Sequence, residues 1–536
     1  MVKKLATVVT AVMMIGLGAQ PASAGSDWTF SITEIGLQNY LTSDMARGNS
    51  VTNMVDGHCL ALGVGDCDIA TMQALNSNVG LHVNLPHCES ATQEYCIESL
   101  QVYAEGATPQ DATFDFQTFP DQPQIQTDLA HGIPQVGNPL IFKSAGETAI
   151  QGSDEFMVQA ALDLTLRSPD FIAEINDFKM SVLPVTVGAG PDRQSAGYFA
   201  PQDFKPETRA GVKVRIPRLV GGWFKGRLSD PQVDIQNFDE TNYVLSVDAK
   251  AVKVPLAQMT VSAADCEAFQ NSLWGQNIFG SCFGGNGIEG DGMFNVLEAM
   301  RPYNNDTAAE IKTAWDVSSF NGSLRTDCLS TGFGLAALVT TNATVFTGAA
   351  PEQDDAGLHY KVSGFHLMPD GNTVTQGDYD LLLREDVARC IYNLPADGNL
   401  YATVSVADGA NANPATVSFG VQNGFAHFRA TGFHFSQPII TTKLTNVKAP
   451  TVKNFGAFKA AITGKLALGK TLKATLVGLP GATRTTLQWY ASGKKISGAV
   501  SSSLKVTRSL LGKKISAVIT IAKAGFVTKK VTVRLS

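Results

Sequence analysis

Charge divides this chain into two parts of very different character. Between Lys448 and Ser536 there are 17 lysines and arginines and no aspartate or glutamate, so this segment carries a charge of +17. Residues 25–447 hold 22 basic residues and all 48 acidic ones, which gives a net charge of −26. A composition break of this kind marks a domain boundary, and Pro450 lies beside it. The sequence therefore predicts an acidic body followed by a basic C-terminal module.

The N-terminus has the three parts of a secretory signal peptide. Lys3 and Lys4 precede an apolar run that ends near Leu17, and Ala22-Ser23-Ala24 provides a small-residue cleavage site. The run is shorter than the roughly 20 residues that cross a bilayer. We predict that residues 1–24 are a signal peptide and that the mature chain has no transmembrane segment. The expected location is secreted, extracellular or non-covalently associated with the cell surface.

Cysteine usage agrees with an oxidising compartment. The chain has eight cysteines and no C-x-x-C motif, and an even count in an exported protein favours disulfides. Proximity predicts that the four cysteines of the first hundred residues pair among themselves, and that the remaining four pair in sequence order. The predicted disulfide cysteines are Cys59, Cys67, Cys88, Cys96, Cys266, Cys282, Cys328 and Cys390.

The basic module alternates apolar and polar residues as strands do. Such runs occur at 471–477, 487–490, 504–507, 515–521 and 527–535, with glycine-containing turns between them. Short strands at regular spacing predict a β-sandwich.

Four pieces of this module also resemble the immunoglobulin-like modules of actinobacterial surface and secreted proteins. They are 464–472, the Trp-Tyr strand at 487–490, 493–498 and 511–515, and the resemblance that they carry covers about 80 of the 536 residues. The resemblance implies an Ig-like sandwich without an essential disulfide, used as a spacer or for attachment.

The body is predicted to be mainly β, with multi-domain β-sandwich architecture and a few short helices near 293–300, 307–315 and 379–392. Its segments at 386–392 and 432–435 look like those of uncharacterised secreted actinobacterial proteins, which implies no activity. The predicted organisation is a signal peptide at 1–24, a Cys-rich N-terminal region at 25–110, a β domain at 111–262, a Gly/Asn-rich segment with short helices at 263–323, a β domain at 324–446 and the basic Ig-like module at 447–536.

Three segments match functional sequence motifs, but their sequence context does not fit the structure that each motif requires. Residues 464–471 fit the P-loop, but a strand pattern follows them where a phosphate-binding loop opens a helix. Residues 285–290 fit G-x-G-x-x-G without a preceding strand, so we interpret them as a turn. Residues 370–380 lack the glycine and glutamate of a calcium loop, and we interpret them as a turn with Asp378 as a helix N-cap. We predict no nucleotide and no cofactor.

Two kinds of chemistry remain open in the body. His58, His82 and His87 stand near four cysteines, but oxidised cysteines offer no thiolates to zinc, so no metal site is predicted. Two carboxylates brought together by the fold would suffice for glycoside hydrolysis, and the sequence does not identify such a pair. A secreted hydrolase, acting for example on polysaccharide, is therefore the alternative to a non-enzymatic function.

The lysines of the basic module are the main functional candidates. A dense positive surface attracts polyanions such as cell-wall phosphate polymers. We predict an exported binding or structural protein of unknown extracellular ligand, whose module attaches to an anionic cell-envelope polymer. The alternatives are a solvated surface and a module that binds the acidic body. The candidate binding residues are Lys470, Lys473, Lys494, Lys495, Lys513, Lys514, Lys529 and Lys530.

Overall fold

The computed structural model describes most of the chain. The described residues are 28–31, 50–53, 78–118, 127–146, 152–188, 199–256, 258–261, 292–320, 328, 334–409, 411–446, 455–479, 483–523, 526 and 528–535. Several sequence predictions lie outside them, namely the signal peptide, His58, the turn at 285–290 and the disulfide partners Cys59, Cys67, Cys266 and Cys282.

The predicted mainly β fold is confirmed. The chain forms two compact units, Met1–Asn446 and Val447–Ser536, which divide at the composition break. The first strands of the body are β1 Trp28–Ser31, β2 Ser50–Asn53, β3 Val79–Asn84, β4 Cys96–Ala104, β5 Thr113–Gln117, β6 Leu140–Lys143, β7 Glu155–Leu166, β8 Ala173–Val187, β9 Phe199–Pro201, β10 Thr208–Pro217, β11 Gly222–Asn237, β12 Asn242–Leu256 and β13 Gln258–Val261.

The second half of the body contains the described helices and further strands. In order they are α1 Gly292–Met300, β14 Glu310–Ala314, β15 Asp316–Phe320, β16 Leu335–Thr341, β17 Val345–Phe346, β18 Glu352–Asp354, β19 Gly357–Ser363, β20 Gln376–Arg384, α2 Glu385–Ile391, β21 Tyr401–Asp408, β22 Asn411–Ala412, β23 Thr416–Gln422, β24 Phe425–His434 and β25 Ile439–Thr445.

One hydrogen-bonded network of 17 strands runs through the body. The long strand β11 joins its parts, because its first half pairs with β15 and β16 and its second half pairs with β12. β16 continues through β20 and β24 to β23. β7 is buried along nearly all of its length, as expected for a strand paired on both edges.

The predicted boundaries at 110, 262 and 323 do not separate independently packed domains. β4 pairs with β10 across the first, β12 pairs with β14 across the second, and β11 pairs with β16 across the third. The main apolar core likewise draws on residues from Val79 to Phe425. Backbone pairing between distant segments, which local composition does not encode, joins these ranges into one unit.

The three helix predictions have different outcomes. α1 confirms the helix near 293–300. The helix at 307–315 is wrong, because residues 310–314 form β14 and pair with the end of β12. The helix at 379–392 is wrong in its first half, where β20 runs to Arg384 before α2 begins. Asp378 is therefore a strand residue and not an N-cap.

The basic module consists of seven strands in two sheets. β26 Lys459–Thr463, β27 Thr471–Val477 and β30 Ser503–Lys505 form one sheet; β28 Arg484–Ala491, β29 Lys494–Lys495, β31 Ile515–Ala522 and β32 Lys529–Arg534 form the other. Burial alternates residue by residue along β31, so one face packs inward. Trp489 is fully buried in a core whose members all lie between Phe455 and Leu535. The strand predicted from Thr471 is confirmed, in place of the helix that a P-loop requires.

Among the described residues of the body, four cysteines form two disulfides. Cys328 bonds to Cys390, which confirms that predicted pair, and Cys88 bonds to Cys96 within the N-terminal group of four. The Cys88–Cys96 bond removes two thiolates from the neighbourhood of His82 and His87. Within the described residues, no helix is long and apolar enough to cross a membrane.

Candidate functional site

All eight candidate lysines of the module are solvent-exposed, but they do not share one face. Lys473 alternates with buried Leu472 and Ala474 on β27, so it projects from the three-stranded sheet. Lys529 and Lys530 begin β32 and pair with the end of β31. The other five lie in or beside turns.

Those five lysines gather at one end of the module, around the connection 506–514. The start of β27 pairs with the end of β30, where this connection begins, and Val506 donates a backbone hydrogen bond to the carbonyl oxygen of Lys470 at 2.8 Å. The connection ends where β31 pairs with the end of β28, and there Ser492 donates to the carbonyl oxygen of Lys514 at 2.7 Å. We call this set the basic end; it comprises Lys470, Lys494, Lys495, Lys513 and Lys514.

A second candidate site lies in the body, where β11, β20 and β24 bring acidic and basic side chains together. We call it the Asp380 cluster. The register of β20 and β24 places Asp380 directly opposite Arg429, which is a favourable cross-strand pair. The members of the cluster are Asp230, Asp378, Asp380, His427 and Arg429.

Asp380 is the buried centre of this cluster, with no solvent-exposed surface. Its two carboxylate oxygens each accept a hydrogen bond from Arg429 Nη1 at 2.9 Å. Oδ1 also bonds to His427 Nε2 at 2.7 Å, and Oδ2 accepts the backbone N–H of Asp230 at 3.0 Å. Charged and hydrogen-bonded partners of this kind are what allow a carboxylate to be buried.

Asp378 lies two residues earlier on β20. Its Oδ2 accepts hydrogen bonds from Ser229 Oγ at 2.6 Å and from Arg429 Nη2 at 3.0 Å. Burial and the neighbouring carboxylate of Asp380 raise the pKa of Asp378 to about 7, against the opposing effect of Arg429. Its other oxygen, Oδ1, is buried and has no hydrogen-bond partner among the described residues.

Asp230 lies at the solvent-exposed edge of the cluster and is its most accessible member. A bulge in β11 between Ser229 and Gln232 and a left-handed backbone at Asp230, with φ of 51°, aim its N–H at Asp380. Its carboxylate is 39% exposed and lies 3.6 Å from Arg429 and 3.4 Å from the buried Arg209. Arg209 is in turn paired with Asp248 at 2.6 Å.

Two of the three histidines near the N-terminal cysteines, His82 and His87, lie in the described residues, and they contact different side chains. His82 bonds through Nδ1 to Asp163 at 2.6 Å, and His87 stacks on Phe114 with ring centroids 4.3 Å apart.

The turn at 370–374 provides hydrogen-bond donors for its own aspartate, because Asp370 Oδ1 accepts the backbone N–H groups of Asn372 and Thr373. Sequence reasoning missed the Asp380 cluster; the alternation Asp378-Tyr379-Asp380 was its only local signal.

Comparison of the chain with protein-family models and with curated proteins finds no match.

Proposed function

We propose that this is an exported protein whose basic, Ig-like module attaches it to an anionic polymer of the cell envelope. The body then binds an extracellular ligand or serves the envelope structurally. The observation that carries the proposal is the charge of residues 448–536, where 17 basic residues stand without one acidic residue. Export is proposed from the signal-peptide pattern, and the two body disulfides agree with an oxidising compartment.

The geometry of the module supports attachment in two ways. All eight candidate lysines are exposed, and the module has no carboxylate side chain to neutralise them. Five of them form the basic end, where closely spaced positive charges sum to a stronger potential than scattered ones produce. The arrangement of three and four strands in two sheets supports the resemblance to Ig-like attachment modules.

The hydrolase alternative receives less support from the body. Three acids do converge at the Asp380 cluster, but Arg429, His427 and the Asp230 backbone already hydrogen-bond both oxygens of Asp380, the central one. Glycoside hydrolysis needs one acid to protonate the leaving group and another to reach the sugar or a water. A carboxylate enclosed by these contacts does not reach a substrate.

The test is binding of the full-length protein to immobilised long-chain polyphosphate across a salt series. We expect binding at low ionic strength and release as salt rises, since exposed charges are screened over about 10 Å at 0.1 M. Replacing four lysines of the basic end by glutamine is expected to weaken binding by about tenfold or more. This variant carries Lys494→Gln, Lys495→Gln, Lys513→Gln and Lys514→Gln.

A control variant of identical net charge separates a site from bulk charge. It carries Lys459→Gln, Lys473→Gln, Lys529→Gln and Lys530→Gln, all outside the basic end. Attachment through the basic end predicts that this control retains most of its binding. Equal losses in both variants would reject a localised site, and a wild-type protein that stays unbound at low salt would reject attachment altogether.

A further inference from the structure

The Asp380 cluster holds more negative charge than its own cations balance. Three carboxylates, those of Asp230, Asp378 and Asp380, face the single guanidinium of Arg429. Arg209, on the other side of Asp230, adds nothing to the balance because Asp248 pairs with it at 2.6 Å. Even without counting Asp378, whose pKa is raised to about 7, the carboxylates of Asp230 and Asp380 outnumber the guanidinium of Arg429, and uncompensated negative charge beside a fully buried carboxylate is costly.

Two buried oxygens at the same place also lack partners. Thr340 lies opposite Asp380 in the pairing of β16 with β20, so both side chains are on the same face of the sheet. Thr340 is fully buried, and its Oγ1 has no hydrogen-bond partner among the described residues. Asp378 Oδ1 is likewise buried and has no hydrogen-bond partner among the described residues. Buried polar atoms are almost always satisfied, so these oxygens point to a further group at the site.

We propose that Asp230, Asp380 and His427 bind one divalent transition-metal cation, of which Zn²⁺ is the test case. Two atoms bonded to one ion at about 2.0–2.2 Å are at most about 4.4 Å apart; the ligand atoms of these three residues lie within 4.8 Å of one another, so small side-chain movements bring them to bonding distance. The +2 charge of the cation offsets the excess negative charge of the cluster, and waters on the metal give hydrogen-bond partners to Thr340 Oγ1 and Asp378 Oδ1. The imidazole favours a transition metal over calcium, which takes oxygen ligands.

Each ligand has a distinct part in this site. Asp380 Oδ1 is fully buried and lies 2.7 Å from Nε2 of the partly buried His427, and the two atoms must separate slightly to admit the cation between them. Asp230 is the accessible ligand and lies at the entrance, since 39% of its side chain is exposed. Arg429 Nη1 donates to both oxygens of Asp380 at 2.9 Å; when the cation takes Oδ1, the bond to Oδ2 remains and positions the carboxylate.

The test measures Zn²⁺ binding to the full-length protein after dialysis against a chelator, by calorimetry and by competition with a chromophoric chelator. We expect one Zn²⁺ per chain at this site, and Co²⁺ in its place is expected to show d–d absorption typical of a nitrogen and oxygen ligand set. His427→Gln is expected to lower Zn²⁺ affinity on the order of 100-fold, as removal of a ligand should exceed the 10- to 100-fold effect of losing a supporting partner.

A matched control is His359→Gln, which removes another histidine that bonds to an aspartate, Asp354, at 2.6 Å. This variant is expected to bind Zn²⁺ like the wild type. Asp230→Asn, at the accessible edge of the cluster, is expected to weaken binding while leaving the circular dichroism spectrum unchanged. Zn²⁺ binding that survives His427→Gln unchanged, or a wild type that binds none, would overturn the proposal and leave protons as the balancing charge.

Discussion

Buried carboxylates in this protein differ widely in acidity because their neighbours differ. Burial alone would raise the pKa of Asp163, but the hydrogen bond with His82 and the positive charge of Lys179 outweigh it and lower that pKa to about 2. Asp316 is buried with weaker compensation from Arg227, and its pKa rises to about 6. At neutral pH the ionised carboxylate therefore stabilises the folded state at Asp163 and destabilises it at Asp316.

Asp163→Asn should remove part of the acid sensitivity of the body. The folded pKa of Asp163 lies below the unfolded value of about 3.9, so its contribution is present above pH 4 and is lost as pH falls towards 2. Lowering the pKa of Asp163 from about 3.9 to about 2 corresponds to about 2–3 kcal/mol, of which a part remains at pH 2 because the folded group is then only half protonated. The difference in free energy of unfolding between wild type and variant should therefore shrink by about 2 kcal/mol between pH 5 and pH 2.

Urea denaturation at a series of pH values measures this difference. The control is Asn at Asp170, an exposed aspartate that leaves the contacts of Asp163 with His82 and Lys179 intact. Asp170→Asn should follow the wild-type curve. If Asp163→Asn lost stability in acid as steeply as the wild type, the ion pairs of Asp163 would not contribute as described.

At the scale of elements, the sequence predicts what local pattern controls and fails where distant pairing decides. Strands of the basic module follow the alternation of their own residues, as in 515–522. Residues 310–314 contain good helix formers, but pairing with β12 holds them as a strand. The apolar run at 381–383 suits a helix or a buried strand, and its place between β16 and β24 decides for the strand.

The Asp380 cluster could not be predicted from the sequence either, because its members are far apart along the chain. Ser229 and Asp378 bond across 149 positions of sequence, and Ser229 and Arg429 across 200. The body has 48 acids, and no local spacing distinguishes the three that pair with Arg429 from the rest. By contrast, the exposed lysines of the module could be named in advance, because its lack of acids is visible in the sequence.

Gly377→Ala should destabilise the pairing of β20 with β24. A Cβ at position 377 would clash with the ring of Phe433, which is fully buried in a second apolar core of the body, formed by residues between Trp223 and Leu444 and including Tyr379 and Phe428. Overpacking of this kind costs roughly 1–3 kcal/mol. Gly420→Ala on β23 is the control: its Cβ meets nothing within 4 Å, so a small gain in stability is expected. Denaturant midpoints of the two variants give the comparison, and a neutral Gly377→Ala would contradict this packing.

At the scale of the whole molecule, opposite charges are assigned to separate compact units. The body of −26 and the module of +17 divide at the boundary between Asn446 and Val447, and each has its own apolar core. The separate core suits the proposed attachment role of the module, because the packing of the module does not draw on the apolar core of the body. This division of the chain also makes the stability of each unit measurable in the presence of the other.

The two units should therefore unfold as separate transitions in calorimetry of the full-length protein. Trp489 is fully buried in the module core and donates from Nε1 to the carbonyl oxygen of Ser501 at 2.8 Å. Trp489→Ala should cost about 3–5 kcal/mol and lower the melting temperature of the module by roughly 15 °C or more, leaving the body transition in place. Phe428→Ala, in the second body core, should do the reverse. A single transition that both variants shift together would mean that the units unfold cooperatively, and the attachment module would then depend on the body for its stability.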